Sequence, residues 1–201
     1  MLHSDDSRTA LKAWLAARGD ALYPTTSQFG PFQMRPFLPN IVMIRRMSDG
    51  GHQITLVGTA LVESFGADAT GRDVKAAYPK SEHALLDRFY DYIFAHHNLT
   101  QSLRTYQRRN GVSVLIEQFM MPVGNSNGVH DRYLLLINDT PMPQMPLTEP
   151  RKDVLIGELQ RRTVYDPQTL LPVDCDLTTP RNAAAMAQPL LDETAVSHLQ
   201  S

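Results

Sequence analysis

The sequence predicts an α+β fold: a five-stranded antiparallel sheet with helices on one face, preceded by an amphipathic helix and followed by a C-terminal extension. Three observations predict it. Residues 41–47 and 52–57 are short β-type runs joined by Ser48-Asp49-Gly50-Gly51, a strong hairpin turn. Residues 99–106, 112–121 and 129–137 read as three further strands, with turns at Arg109-Asn110-Gly111 and at Gly124-Asn125-Ser126-Asn127-Gly128. Between these groups, residues 81–98 place Leu86, Phe89, Tyr90 and Ile93 on one face at helical spacing, with Ser81 as the N-cap. A helix crossing such a sheet leaves a space between the two layers where a ligand fits.

The flanking segments follow local rules. Asp5, Asp6 and Ser7 cap a helix that runs to Arg18, with acids at its positive end. Leu11, Trp14 and Leu15 fall at i, i+3 and i+4, and Gly19 ends it. This apolar stripe has two destinations: the sheet of its own chain, or a second copy, in which case Leu11, Trp14 and Leu15 are dimer contacts. Pro24, Pro31, Pro36 and Pro39 exclude a helix or a central strand from residues 23–40. An extended lead-in is expected, pinned by Phe29, Phe32, Phe37 and Leu38. After Asn138 the prolines Pro141, Pro143, Pro146 and Pro150 make a linker. Residues 151–163 then read as one short helix through Val154, Leu155 and Leu159, and the Ala-rich residues 182–200 as a looser one. The chain divides into an N-terminal helix and lead-in (1–40), a sheet domain (41–138), and a linker with C-terminal extension (139–201).

The most specific local pattern spans residues 52–74. The strand stops at Gly58, Thr59 caps a short helix holding Leu61, Val62 and Phe65, and Gly66 suits a left-handed C-cap. Asp68, Thr70 and Gly71 form a second turn, with Asp68 placed to bond amides two residues on. This run resembles the PAS-like family of bacterial, largely alphaproteobacterial, proteins. The likeness continues through Pro24, Pro31 and Phe37-Leu38-Pro39-Asn40-Ile41 upstream. Downstream it includes Glu117, Met121-Pro122 and residues 132–137, so that it covers roughly residues 11–138. Gln53, Thr55 and Thr25-Thr26 depart from it, because arginines often stand at those places in the family.

The resemblance implies a sensory or regulatory role rather than catalysis. A small molecule, a protein partner or both would bias a homodimer or the terminal segments. Phe65, Phe89, Ile93, His97, Leu115, Glu117 and Phe119 are the candidate ligand-binding residues; Gly58, Thr59, Gly66, Asp68, Thr70 and Gly71 are the structural motif. Glu117 stands out from the residues alone, because it interrupts an apolar strand and a buried carboxylate needs a partner. That partner is a strand arginine such as Arg104 or Arg132, or a ligand. Alternation puts Leu115, Glu117 and Phe119 on one face and Ile116, Gln118 and Met120 on the other. His96 and His97 end the long helix, where haem-binding PAS proteins tend to place an axial ligand; the helix dipole is an ordinary reason for histidine there. No cofactor is expected.

Other classes are disfavoured. Lys+Arg 19 against Asp+Glu 21 gives a net charge of −2, with no basic stripe for nucleic acid. The small cluster Arg104, Arg108 and Arg109 reads as a solvated strand end. With Cys175 as the only cysteine, no intrachain disulfide forms. No metal-ligand spacing is present, and no apolar run approaches membrane-spanning length. The start of the sequence lacks a signal-peptide pattern, and a cytoplasmic protein is expected. Gly124 to Gly128 matches G-x-S-x-G, but that motif needs a following helix, and a strand follows here. Two rivals remain: an interaction module whose core is filled by its own side chains, and a small enzyme in which Glu117 faces Tyr92 or His96.

Overall fold

Pairing of the hairpin, the meander and one unforeseen strand closes a single antiparallel sheet in the computed structural model, which describes residues 2–107, 113–140, 156–177 and 190. The helices are α1 (Asp5–Arg18), α2 (Pro31–Met34), α3 (Thr59–Phe65) and α4 (His83–His96). The strands are β1 (Ile41–Arg46), β2 (His52–Val57), β3 (Leu99–Gln107), β4 (Ser113–Gly124), β5 (His130–Asp139) and β6 (Ile156–Tyr165). Their order across the sheet is β2-β1-β5-β4-β3-β6. Single 3-10 turns lie at Leu38–Asn40, Val74–Ala77 and Lys80–Glu82.

β6 corrects the expected helix over residues 151–163, as far as that range is described. Without it, β3 would present an open row of backbone donors and acceptors. The run Thr163-Val164-Tyr165 has the β-branched and aromatic character that suits a strand, and Ser102 pairs with Arg162 and Gln101 with Thr163 across the new ladder. The expected linker over 141–150, the Arg109-Asn110-Gly111 turn and the helix over 182–200 fall outside the described residues, Leu190 apart.

The lead-in is less extended than its prolines suggest. Pro31 occupies the first turn of α2 and Pro39 sits in a 3-10 turn, positions where a missing N–H costs nothing. Three helix starts also shift by a residue or more. Ser4 caps α1, its hydroxyl accepting from the Asp6 and Ser7 amides; Gly58, not Thr59, is the N-cap of α3; α4 begins at His83, after a turn, rather than at Ser81. Gly66 does adopt the left-handed C-cap conformation (φ 74°).

Both faces of the sheet are covered, so β5 reads as the unbroken apolar run Tyr133-Leu134-Leu135-Leu136-Ile137 rather than as an alternation. Against α3 and α4 pack Ile44, Ile116, Met120, Tyr133 and Leu135. Against α1 and the lead-in pack Phe119, Met121, Leu134 and Leu136. Trp14 is 0% exposed and donates its indole N–H to Pro122 O at 2.8 Å. Leu11 and Trp14 are therefore consumed by their own sheet, the intrachain one of the two destinations, and Leu15 stays half-buried.

Gly58 shows why this sequence position tolerates no side chain. Its amide donates to Ile41 O at 2.8 Å, and a Cβ built there would lie 2.3 Å from both Leu38 O and Pro39 O. These are backbone atoms that cannot rotate away. Gly58→Ala is expected to lower stability by about 1–3 kcal/mol or more, the range for overpacking, read as a lower urea midpoint with an unchanged m-value.

Candidate ligand-binding site

The α3–α4 face of the sheet holds a cavity of about 30 Å³. That is far below the volume of an engineered cavity that admits benzene, roughly 150 Å³. Val42 and Ile44 of β1, Leu135 and Ile137 of β5, and Ile54 of β2 form its floor. Phe65, Val74 and Tyr78 form the roof. The lining is apolar except at one end, where Gln118 Nε2 donates to Tyr78 Oη at 3.4 Å.

The roof is held by the glycine and aspartate motif. Asp68 Oδ1 accepts from the Thr70 amide at 2.8 Å, as its turn chemistry requires. Gly71, at φ 86°, donates its amide to Ile54 O at 2.7 Å, and Ile54 returns its own amide to Arg72 O at 2.9 Å. Gln53 Nε2 adds a bond to Gly71 O at 3.0 Å, so one of the departures from the family pattern has a local structural use. The motif thus caps the outer edge of β2 while roofing the cavity.

Beyond Tyr78 lies a buried polar cluster that sequence reasoning missed. Arg104 from β3 donates to Glu82 Oε2 at 2.9 Å, and its guanidinium carbon lies 4.9 Å from the centre of the Tyr78 ring. Arg162 from β6 is 2% exposed. Its Nε–H reaches Ser102 Oγ at 3.4 Å and its guanidinium lies 3.9 Å over the Phe89 ring. Burial, and then repulsion from Arg104, pushes the Arg162 guanidinium down to about 10. Sequence patterning alone groups Arg104 with Arg108 and Arg109 as a solvated strand end and puts Arg162 on a helix; the structure corrects both. The available signal was the β-prone run that follows Arg162.

Of the seven candidate ligand residues, the structure brings Phe65 to the cavity and Phe89 and Ile93 to the same core. Leu115, Glu117 and Phe119 are a correction. Glu117 and Phe119 occupy the α1 side, Leu115 does not line the cavity, and Gln118 faces it instead. Glu117 is 0% exposed. Its Oε1 accepts from the His3 amide at 2.7 Å and from Gln101 Nε2 at 2.6 Å, and its Oε2 accepts from the Ser4 amide at 3.1 Å. The carboxylate therefore fastens the start of α1. Arg104 pairs with Glu82 and Arg132 with Asp131, so neither is its partner. Tyr92 and His96 belong to α4, across the sheet from Glu117, and the acid–base pairing of an enzyme site is not formed.

His97 lies at the C-cap of α4 in the left-handed conformation (φ 57°), with its Nδ1 at 2.8 Å from Nδ1 of His130. One ring must donate and the other accept, so the contact excludes two protonated imidazoles. The Tyr23 ring covers both, and Phe94 stacks on His130 at 4.9 Å. His96 is exposed, stacked on Tyr92 with its Nδ1 at 2.9 Å from Tyr92 O. Neither His96 nor His97 lines the cavity. The hairpin after β4 accounts for the G-x-S-x-G match: Asn125 Oδ1 accepts from the Asn127 and Val129 amides, and β5 follows.

Burial first, and His97 second, hold the His130 imidazole down to about 4. Below the ordinary value of 6.5 the unfolded chain takes up a proton that the folded chain refuses. Stability is therefore lost as pH falls from 6.5 towards 4, by on the order of 3 kcal/mol at most. His130→Phe, which keeps the stack on Phe94, is expected to flatten this dependence. Urea midpoints at pH 7.5, 5.5 and 4.5 for both proteins check it.

Comparison with known proteins follows the fold. The PAS domain family model matches residues 2–137. No curated protein matches the chain. Among solved structures, a light-oxygen-voltage domain studied with a flavin analogue is 13% identical, with 53% of this chain and 81% of that one covered, at a TM-score of 0.42. VqmA of Vibrio cholera, in a complex with ligand and DNA, is 14% identical, with coverage of 54% and 49% and a TM-score of 0.43. An RNA-binding light-oxygen-voltage receptor is 16% identical, with coverage of 57% and 34% and a TM-score of 0.43.

Proposed function

Because the chain belongs to the PAS domain family, we propose that it is a sensory or regulatory protein that takes a small molecule into the cavity between the sheet and α3. The observation that carries this reading is an apolar cavity with a single polar end, roofed by short turns rather than by a long element. At about 30 Å³ the cavity holds little more than water, so a ligand enters by lifting the roof. Entry and conformational change are then the same event, and the ligand shifts the protein only as far as it prefers the opened form.

β4 supplies the route outward. Gln118 lines the cavity on one face, and its neighbour Glu117 grips the His3 and Ser4 amides on the other. A shift of β4 at the cavity is thereby a pull on the N-terminal segment. The output in this reading is a change in how firmly α1 is docked, which a protein partner or a second copy detects. The rival of a ligand-free interaction module predicts a roof indifferent to apolar solutes.

Hydrogen exchange with toluene as the probe separates the two. Saturating toluene is expected to change the exchange of residues 61–78 and of the amides of residues 3–8 together, with little effect on β3. Ala77→Val, which fills the cavity from its roof, is expected to abolish the response at both places. Exchange that toluene leaves unaltered throughout would sink the reading.

A further inference from the structure

The surroundings of Arg162 do not explain its burial. A guanidinium that is 2% exposed sits against the Phe89 ring and one serine hydroxyl, and its Nη1 has no hydrogen-bond partner among the described residues. Among the described residues Glu82 is the carboxylate that acts on Arg162 electrostatically, and it is hydrogen-bonded to Arg104 instead. A buried cation without an ion pair is costly, so an anion that arrives to pair with it is bound favourably. Tyr78 connects this charge with the cavity: it lines the cavity on one side, and Arg104 lies against its ring on the other. Turning Tyr78 aside would open the polar end of the cavity, marked by Gln118, towards the guanidiniums.

We propose that the molecule sensed is a small monocarboxylic acid, its apolar body in the cavity and its carboxylate received by the Arg162 guanidinium, with Gln118 beside it. The inference rests on the cavity being the ligand site. Three features favour a carboxylate over a phosphate. The open donor belongs to one planar fork that matches a flat carboxylate. The cavity lining is too apolar for a hydrated dianion. A single unpaired positive charge is balanced by a monoanion. β6, which carries Arg162, lies beyond the residues 2–137 that match the family.

Hexanoate and hexanamide share one body and differ in charge, so calorimetric titration of both into the full chain isolates the carboxylate. The wild type is expected to bind hexanoate at least about tenfold more tightly than hexanamide. Arg162→Met should bring the two within about twofold and should melt above the wild type in the absence of any acid, because a desolvated charge has been replaced by a thioether of similar reach. Arg162→Lys keeps the charge but not the fork, and should show a preference between the other two. Equal binding of hexanoate and hexanamide to the wild type overturns the carboxylate assignment and leaves the cavity reading standing. Binding of neither overturns both. A hexanoate preference that survives Arg162→Met, or a free Arg162→Met protein that melts below the wild type, removes Arg162 as the receptor.

Discussion

Strand β4 is buried on both faces, and much of the architecture follows from that constraint. A central strand with apolar neighbours above and below has nowhere to put a polar side chain except against a partner. β4 carries two in succession. Glu117 solves the problem with two backbone amides and a glutamine, and in doing so ties down the segment that leads into α1. Gln118, among the described residues, donates to the Tyr78 hydroxyl at 3.4 Å, a long contact. One face is thereby closed by hydrogen bonds and a buried tryptophan. The other is closed by α3 and α4 and, over the cavity, by short turns.

The tyrosine that holds α4 to the sheet shows the same economy of polar atoms. Tyr133 is fully buried, and its hydroxyl lies 2.7 Å from Ile93 O and 2.9 Å from Asn98 O. These two carbonyls bracket the end of α4, where intrahelical partners run out. One phenol therefore anchors the helix terminus, the left-handed His97 and the start of β3. α4 is fixed at this end, while its aromatic face spans from His52 on β2 to Arg162 on β6.

Sequence patterns resolved the elements better than their destinations. The helical stripe of Leu11 and Trp14, the hairpins, the glycine-bounded α3 and the long α4 were all legible, since each rests on local spacing and turn chemistry. Local rules also yielded the alternation of β4 correctly. They do not say which face of a strand meets which layer, and so Glu117 was placed in the pocket when its true partners, the His3 and Ser4 amides, are more than a hundred residues distant in sequence. β6 was illegible for a related reason. Its apolar positions are few, and what makes it a strand is the open edge of β3, a non-local fact. The buried arginines went unseen because arginine is so seldom interior that composition reads it as surface.

Arg104 and Arg162 differ in the way that matters for a switch. Arg104 has Glu82, an acid at the N-terminal boundary of α4, so its charge is balanced within the fold. Arg162 is brought in by the last strand of the sheet and makes no ion pair among the described residues, Glu82 acting on it only at a distance. The sheet ordering sets these two like charges close enough to oppose each other, as the lowered Arg162 affinity for its proton registers. An interior with balanced charge is settled in one arrangement. A buried cation that makes no ion pair among the described residues is not, and the proposed carboxylate is selected by that deficit. Tyr78 stands between the two, lining the apolar cavity on one side and lying against the Arg104 guanidinium on the other.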